Sequence, residues 1–244
     1  MVGLTSVLSD IPTTIKALDA WYEADNTPRT RLGLSQAGHE CKRFLWYCHN
    51  GFVGDQPEGR ILRLFQLGNI LEDQTIMDLK LAGVYHHSCQ KEVKFSQDDV
   101  VLTGHIDGIV EGLIEAPVTP HLFEHKTCSR KKYDELIRKG SYHAWNEVYF
   151  WQVQFYMLGL KLKKAAVFVY CKDDSRLYLE RIKLERDATF KKLRSVFEAI
   201  NSSIEPDRAC PRVDFYKAKW CSHYKTCFNL HKPKAWGTGY VGPF

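Results

Sequence analysis

The stretch Leu122-Phe123-Glu124-His125-Lys126-Thr127 sets a carboxylate and an ammonium inside what otherwise reads as an apolar β-strand. Side chains alternate across a strand, so Glu124 and Lys126 project to one face and His125 to the other. The strand before it carries Gly104-His105-Ile106-Asp107. If the two strands pair through the segment that joins them, Asp107 sits beside Glu124. Carboxylates that meet on a sheet repel each other unless a cation lies between them, and hard oxygen donors of this kind favour magnesium or manganese. Taken alone, Asp107 also reads as a turn residue before Gly108, and Glu124–Lys126 as a surface ion pair.

The surrounding pattern alternates helices and strands. Ser35 to Tyr47 reads as one short helix with Ser35 as its N-cap, and Ile61 to Leu81 as a helix stopped by Gly83. Val84 to Phe95, Val100 to Val110 and Leu122 to Thr127 read as three strands. The last two are joined through Gly112, Pro117 and Pro120, as suits a hairpin. A basic helix, Arg130 to Lys139, ends at Gly140, and Trp145 to Leu162 reads as a long apolar helix. Ala165 to Tyr170 and Arg176 to Lys183 look like strands joined at Asp173–Asp174. A helix from Arg186 to Ser202 then precedes an irregular tail. This order predicts an α/β fold, a central mixed β-sheet flanked by helices. A length of 244 residues suits a single domain, with an N-terminal helical segment over about 1–60 and a cysteine-bearing tail over about 204–244.

Two further positions stand out against this frame. Glu72 shares a helical stripe with Phe65, Gly68, Ile76 and Leu79, and a carboxylate on a core-facing stripe needs a partner. By itself it equally fits an edge position that reaches water. Gln152 and Tyr156 lie one turn apart on the later helix, beside the more apolar stripe of Val148, Trp151, Phe155 and Leu158; alone, they read as an amphipathic boundary.

Composition excludes little. The net charge of +5 permits a polyanionic partner without demanding one. Met1 to Asp10 has no basic stretch leading into an apolar core, and the most apolar run, Val148 to Leu160, is broken by Gln152 and Gln154. A secreted or membrane protein is therefore not expected. Eight cysteines without an export signal suit reduced thiols or metal ligands. Cys41, Cys48, Cys89, Cys128 and Cys171 are scattered, whereas Cys210, Cys221 and Cys227 gather near the end.

Taken in order, Gly68-x-x-x-Glu72, Gly104-His-Ile-Asp107, Glu124-His-Lys126-Thr127 and Gln152-x-x-x-Tyr156 resemble the motif series of the PD-(D/E)xK nuclease superfamily. The glutamine–tyrosine element is similar to that of its RecB-like branch, which includes phage exonucleases and CRISPR-associated adaptation nucleases. Ser35-x5-Cys41-x-Arg43 resembles that branch's opening helix and Trp220-Cys221-x5-Cys227 its terminal cysteine element, so the likeness runs from about residue 35 to 227. Ile106 stands where proline is common, and Glu72 where many RecB-like members have histidine.

The resemblance implies a restriction-endonuclease-like core and a magnesium- or manganese-dependent deoxyribonuclease. Its ligands would be Asp107, Glu124, Glu72 and the main-chain carbonyl of His125. Lys126 would orient or polarise the attacking water, with Gln152 and Tyr156 positioning it or the scissile strand. An exonuclease leaving 5′-phosphates is implied, acting on DNA in recombination, repair, degradation or phage replication. The expected location is cytoplasmic, in the host if the chain is phage-encoded, and a homo-oligomer or a recombination-protein partner is compatible with it. A restriction-type endonuclease and a non-catalytic DNA-binding or assembly subunit are the competing readings. Arg130, Lys131, Lys132, Arg138 and Lys139 could hold phosphates or form a solvated helix face. Cys41, Cys210, Cys221 and Cys227 resemble the ligands of a 4Fe–4S cluster, although Cys210 lies further upstream than usual. Zinc recruiting His223 or His231, or buried thiols without metal, remain open beside that reading.

Overall fold

The computed structural model of the chain describes residues 12–230. Its strands are β1 (Tyr85–His87), β2 (Glu92–Gln97), β3 (Val100–His105), β4 (Gly108–Glu111), β5 (His121–Cys128), β6 (Lys164–Cys171) and β7 (Leu177–Lys183). Five of them form one sheet in the order β1-β4-β5-β6-β7, while β2 and β3 pair separately as a hairpin. β5 and β6 run parallel and the other pairs of the large sheet antiparallel, so the sheet is mixed, as expected. β5 and β6 are interior strands buried along most of their length, and the apolar run of β6 follows from being covered on both faces. The chain passes from one to the other through α5 (Arg130–Lys139), α6 (Tyr142–Trp145) and α7 (Glu147–Leu160), since parallel neighbours require a long crossover.

Before the strands come α1 (Thr13–Asp25), α2 (Leu34–Ala37), α3 (Lys42–His49) and α4 (Gly59–Leu81); after them come α8 (Arg186–Ile200), a 3-10 turn at Ala218–Trp220 and the short α9 (Tyr224–Cys227). Residue ends differ from expectation where local chemistry interrupts a pattern. The segment Ser35 to Tyr47 is two helices, not one. Gly33 precedes α2, and Ser35 lies inside it, 3.4 Å from Arg29 Nη1, rather than capping it. The break at Gly38 is a packing requirement: a Cβ there would stand 2.7 Å from Trp151 Cβ and 2.9 Å from the Val148 carbonyl of α7. Trp145 likewise belongs to α6. Asn146 restarts the helix by accepting a hydrogen bond from the Tyr149 N–H at 3.2 Å, and Lys161, left-handed, ends it. α8 stops at Ile200, short of Ser202.

Two expected strands are also divided. Between Val84 and Phe95 the backbone turns left-handed at Ser88 and Gln90, so β1 joins the large sheet and β2 the hairpin. Between Val100 and Val110 the ladder breaks at Ile106–Asp107. The Ile106 N–H donates to the Lys91 carbonyl at 3.1 Å and its carbonyl accepts from Gln90 at 2.9 Å, which frees Asp107 at the junction of the two sheets.

α4 was expected to turn Phe65, Gly68, Ile76 and Leu79 to the core. Ile76 and Leu79 do so, packing on a small cluster of Val84, Val110, Phe123, Ala166 and Phe168, and Gly68 faces β5, where a Cβ would stand 3.4 Å from Thr127 Oγ1. Phe65 is 59% exposed, because the first half of α4 lies along α1 rather than over the sheet; at Gly59 a Cβ would stand 2.4 Å from Asp19 Cα. Among the described residues no helix is long and apolar enough to cross a membrane.

The main core lies between the sheet and α7, whose Phe150, Val153, Phe155 and Met157 are buried. The Gln154 amide is buried among them and hydrogen-bonded through both its nitrogen and its oxygen. Gln154 Nε2 donates to the Lys183 carbonyl at 2.9 Å, while its Oε1 accepts from the Glu185 N–H at 2.8 Å and from Thr189 Oγ1 at 3.2 Å. This amide ties α7 to the end of β7 and the start of α8. Gln154→Leu would leave the Lys183 carbonyl and the Glu185 N–H without this partner, so urea unfolding should show a loss of about 1–3 kcal/mol.

Candidate active site

In β4–β5 pairing Gly108 faces Phe123, so the next step of the antiparallel register carries Asp107 across from Glu124. The Asp107 carboxylate accepts the main-chain N–H of His125 through Oδ2 at 2.8 Å. Glu124 is fully buried on the face covered by α7. There Gln152 Nε2 donates to Glu124 Oε1 at 2.7 Å, and the Lys126 ammonium contacts the same oxygen. Lys126 also lies 5.3 Å from the centre of the Tyr149 ring. Glu124 Oε2 is buried without a hydrogen-bond partner. Tyr156 is buried as well, and it reaches over Gly104, where a Cβ would stand 2.6 Å from its hydroxyl. Asp107, Glu124, Lys126, Gln152 and Tyr156 are thus drawn into one region from the β3–β4 junction, β5 and α7.

His125 points to the opposite face. Its Nε2 lies 3.1 Å from Thr75 Oγ1, and that hydroxyl donates to the Leu71 carbonyl at 2.9 Å. With its proton so used, Thr75 accepts, and His125 Nε2 carries the hydrogen. Burial lowers the imidazole to about 4, keeping it neutral. The contact clamps the turn of α4 that bears Glu72 onto β5, and Glu72 is half-buried.

The cluster has more negative than positive charge. Burial raises the Glu124 carboxyl, Asp107 adds to the rise, and Lys126 opposes it. Burial and then Asp107 raise Glu72 to about 7, again against Lys126. Burial alone would lower Lys126, but Glu124 and Asp107 outweigh it and hold the ammonium protonated. After burial, the mutual repulsion of Asp107 with Glu124 and with Glu72 is the largest contribution to the two raised carboxyls, and a positive charge among them relieves it. Among the described residues no three Asp, Glu, His or Cys side chains are drawn into a closed metal-binding group. Anionic oxygens, one of them buried without a hydrogen bond, nevertheless suit a hard divalent cation, and the Lys126 ammonium meets only part of that demand.

Two neighbours were not singled out from the sequence. Tyr142 is fully buried with its hydroxyl unpartnered, and its ionisation is driven far up by burial, with Lys126 opposing and Glu124 adding. His86 lies under the Asp107–Gly108 turn, where a Cβ on Gly108 would stand 2.1 Å from His86 Nε2. Neither carries a periodic signal; the break at Gly140-Ser141 before Tyr142 was the only local hint. The basic helix α5 is exposed, yet Arg130 pairs with Asp174, and Lys132 and Lys139 both pair with Glu135, leaving Lys131 and Arg138 facing solvent.

The cysteine tail returns to the start of α3. Cys41, Cys210, Cys221 and Cys227 line one cavity of about 440 Å³. Burial first, then Cys41, Cys227 and Cys210, push the Cys221 thiol up to about 11. His223 is buried beside them, its Nε2 3.3 Å from the thiol of Cys48, so Cys48 is not the isolated residue its position suggested. His231 lies outside the described residues.

No family model matches the chain, and no curated protein matches it. Solved structures similar to it include SSO0001, at 16% identity over 87% of this chain and 93% of that one, with a TM-score of 0.49. The alkaline exonuclease LHK-Exo from Laribacter hongkongensis is 15% identical over 74% of this chain and 89% of its own, with a TM-score of 0.48. The same exonuclease in complex with dAMP is 15% identical over 76% and 90%, with a TM-score of 0.47.

The charge deficit yields a direct expectation. Manganese at about a hundred times its dissociation constant should stabilise the folded chain by about 2.7 kcal/mol, read as a rise in Tm. Asp107→Asn should lose most of that rise.

Proposed function

We propose that the chain is a divalent-metal-dependent nuclease that hydrolyses phosphodiester bonds of DNA, acting as an exonuclease that leaves 5′-phosphates. The observation that carries this reading is the meeting of Asp107 with Glu124 beside Lys126, with one Glu124 oxygen buried and unpartnered. Asp107 and Glu124, joined by Glu72 and the His125 carbonyl, would hold a magnesium or manganese ion, which supplies Lewis acidity toward the phosphate and its attacking water.

The chain's own groups account for the rest. Lys126, held protonated, orients that water and offsets the negative charge that builds on the phosphoryl oxygens. Gln152 fixes the Glu124 oxygen that holds Lys126, so both carboxylate and ammonium are preorganised. Tyr156 and Tyr142, both buried beside Glu124 and Lys126, keep bulk water from these groups. As the water oxygen bonds to phosphorus, the bond to the 3′-oxygen breaks, and the water's proton ends on that leaving oxygen.

End-labelled and closed-circular DNA incubated with magnesium or manganese test this. The purified protein should digest the linear DNA and spare the covalently closed circle, whereas cleavage of the circle would favour the restriction-type reading. Asp107→Ala, Glu124→Ala and Lys126→Ala should each lower the rate by about a thousandfold. Full activity in Lys126→Ala would remove the assignment, and a wild type that binds DNA without cutting it would favour a binding subunit.

The cysteine cavity is assigned, on the same resemblance, to a 4Fe–4S cluster held by Cys41, Cys210, Cys221 and Cys227. The support is that thiols from both ends of the chain line one cavity, and thiolate ligands there would staple the tail to α3. Protein prepared without oxygen should be brown and contain iron and sulfide. Zinc in their place would transfer the site to Cys221, Cys227 and His223, and colourless protein without either metal would end both assignments.

A further inference from the structure

A second cleft, of about 830 Å³, lies between the loop that precedes α4 and the cysteine tail. Among the described residues its cations are Arg29, Arg31 and Lys219, and the one carboxylate that lines it, Asp55, is engaged by Lys225 at 2.9 Å. Among the described residues none of these three cations forms an ion pair, and Arg29 meets only the Ser35 hydroxyl. The same cleft is lined by three exposed aromatic rings, Phe52 at 39%, Phe65 at 59% and Trp220 at 89%. Exposed rings cost solvation unless something covers them. Uncompensated cations and exposed rings lining one cleft match the backbone phosphates and unstacked bases of a single strand.

The cleft is also built rather than incidental. The Asp55 N–H donates to the Ser222 carbonyl at 2.7 Å, Gln56 Nε2 to the Gly54 carbonyl at 2.7 Å, and Asn26 Nδ2 to Gln56 Oε1 at 3.0 Å. A Cβ on Gly54 would stand 2.8 Å from Ser222 Cβ, so the loop is seated directly on the tail. Phe65 and Glu72 are seven residues apart on α4. Seven residues bring the helix back to nearly the same side about 10 Å further on, so the cleft wall and the carboxylate cluster share one face of that helix. A cavity of this size accommodates a few unpaired nucleotides and is too small for a duplex.

We propose that this cleft binds the single-stranded part of a DNA substrate, with Trp220 and Phe65 stacking on bases and Arg29, Arg31 and Lys219 holding phosphates. The proposal rests on the nuclease reading for the identity of the polymer, but its test does not require cleavage. Binding of a labelled oligothymidylate to the purified protein in EDTA, followed by fluorescence anisotropy, should weaken about tenfold in Trp220→Ala and recover largely in Trp220→Phe. Arg31→Ala should weaken it and make the slope of log affinity against log salt shallower by about one. The quenching of tryptophan emission by the oligonucleotide should shrink in Trp220→Ala, while affinity for a blunt hairpin duplex stays as in the wild type.

Unchanged oligothymidylate affinity in all these variants would overturn the proposal, even if the protein digests DNA normally. Equal losses for single strand and duplex would also overturn it, reducing the cleft to a general phosphate contact. A protein that never cleaves but shows the selective losses would retain the cleft and lose the nuclease reading.

Discussion

The arrangement of the molecule around its central strands depends on one buried carboxylate. Glu124 has no solvent exposure, and charge in that position is tolerated only because partners are built around it. Lys126, two residues on along the same strand, supplies the opposite charge, and Gln152 supplies an amide from α7. The requirement sets how α7 crosses the sheet, since its Gln152 must reach β5 while Gly38 and Gly104 keep their Cα atoms bare for the helix to approach. The apolar core around α7 then has the geometry that this polar contact allows.

The opposite face of β5 is organised by a weaker but complementary contact. His125, neutral through burial, donates to Thr75 and so locks the second half of α4 to the strand. Glu72 is carried to the site from that side as a consequence. Adjacent residues of one strand therefore serve different layers: Glu124 and Lys126 bind the α7 layer, and His125 binds α4. Alternation along a strand makes this division unavoidable, and it explains how groups from both sides of a sheet come to one edge.

Charge balance distinguishes two neighbouring sites along α4. The carboxylate cluster lacks positive charge, whereas the cleft beyond Phe65 lacks negative charge. The proposed single strand would meet the cleft's cations with phosphates, and the proposed metal would meet the cluster's carboxylates with positive charge. α4 links them, with Phe65 on the first and Glu72 beside the second. Much of the conspicuous basic helix α5, by contrast, is neutralised by Glu135 and Asp174 within the chain, so raw charge density in sequence overstated its availability.

Alternation and apolar periodicity in the chain were enough to place β5, β6, β7, α5 and most of α4, because those elements are specified by local spacing and end at Gly83, Gly140 or Asp173–Asp174. The same spacing put Glu124 and Lys126 on one face and His125 on the other. It did not reveal where strands break. Nothing in Val84–Phe95 or Val100–Val110 distinguishes one long strand from two, since the interruptions arise from hydrogen bonds between Ile106 and residues 90 and 91. Gln152 and Tyr156 were legible as a pair but not as buried, because burial depends on what α7 packs against. Tyr142, His86 and the grouping of Cys48 with His223 became visible only in three dimensions. Local spacing decides which way a side chain points along its own element; which groups it meets is settled by long-range packing, and that distinction marks what each level could determine here.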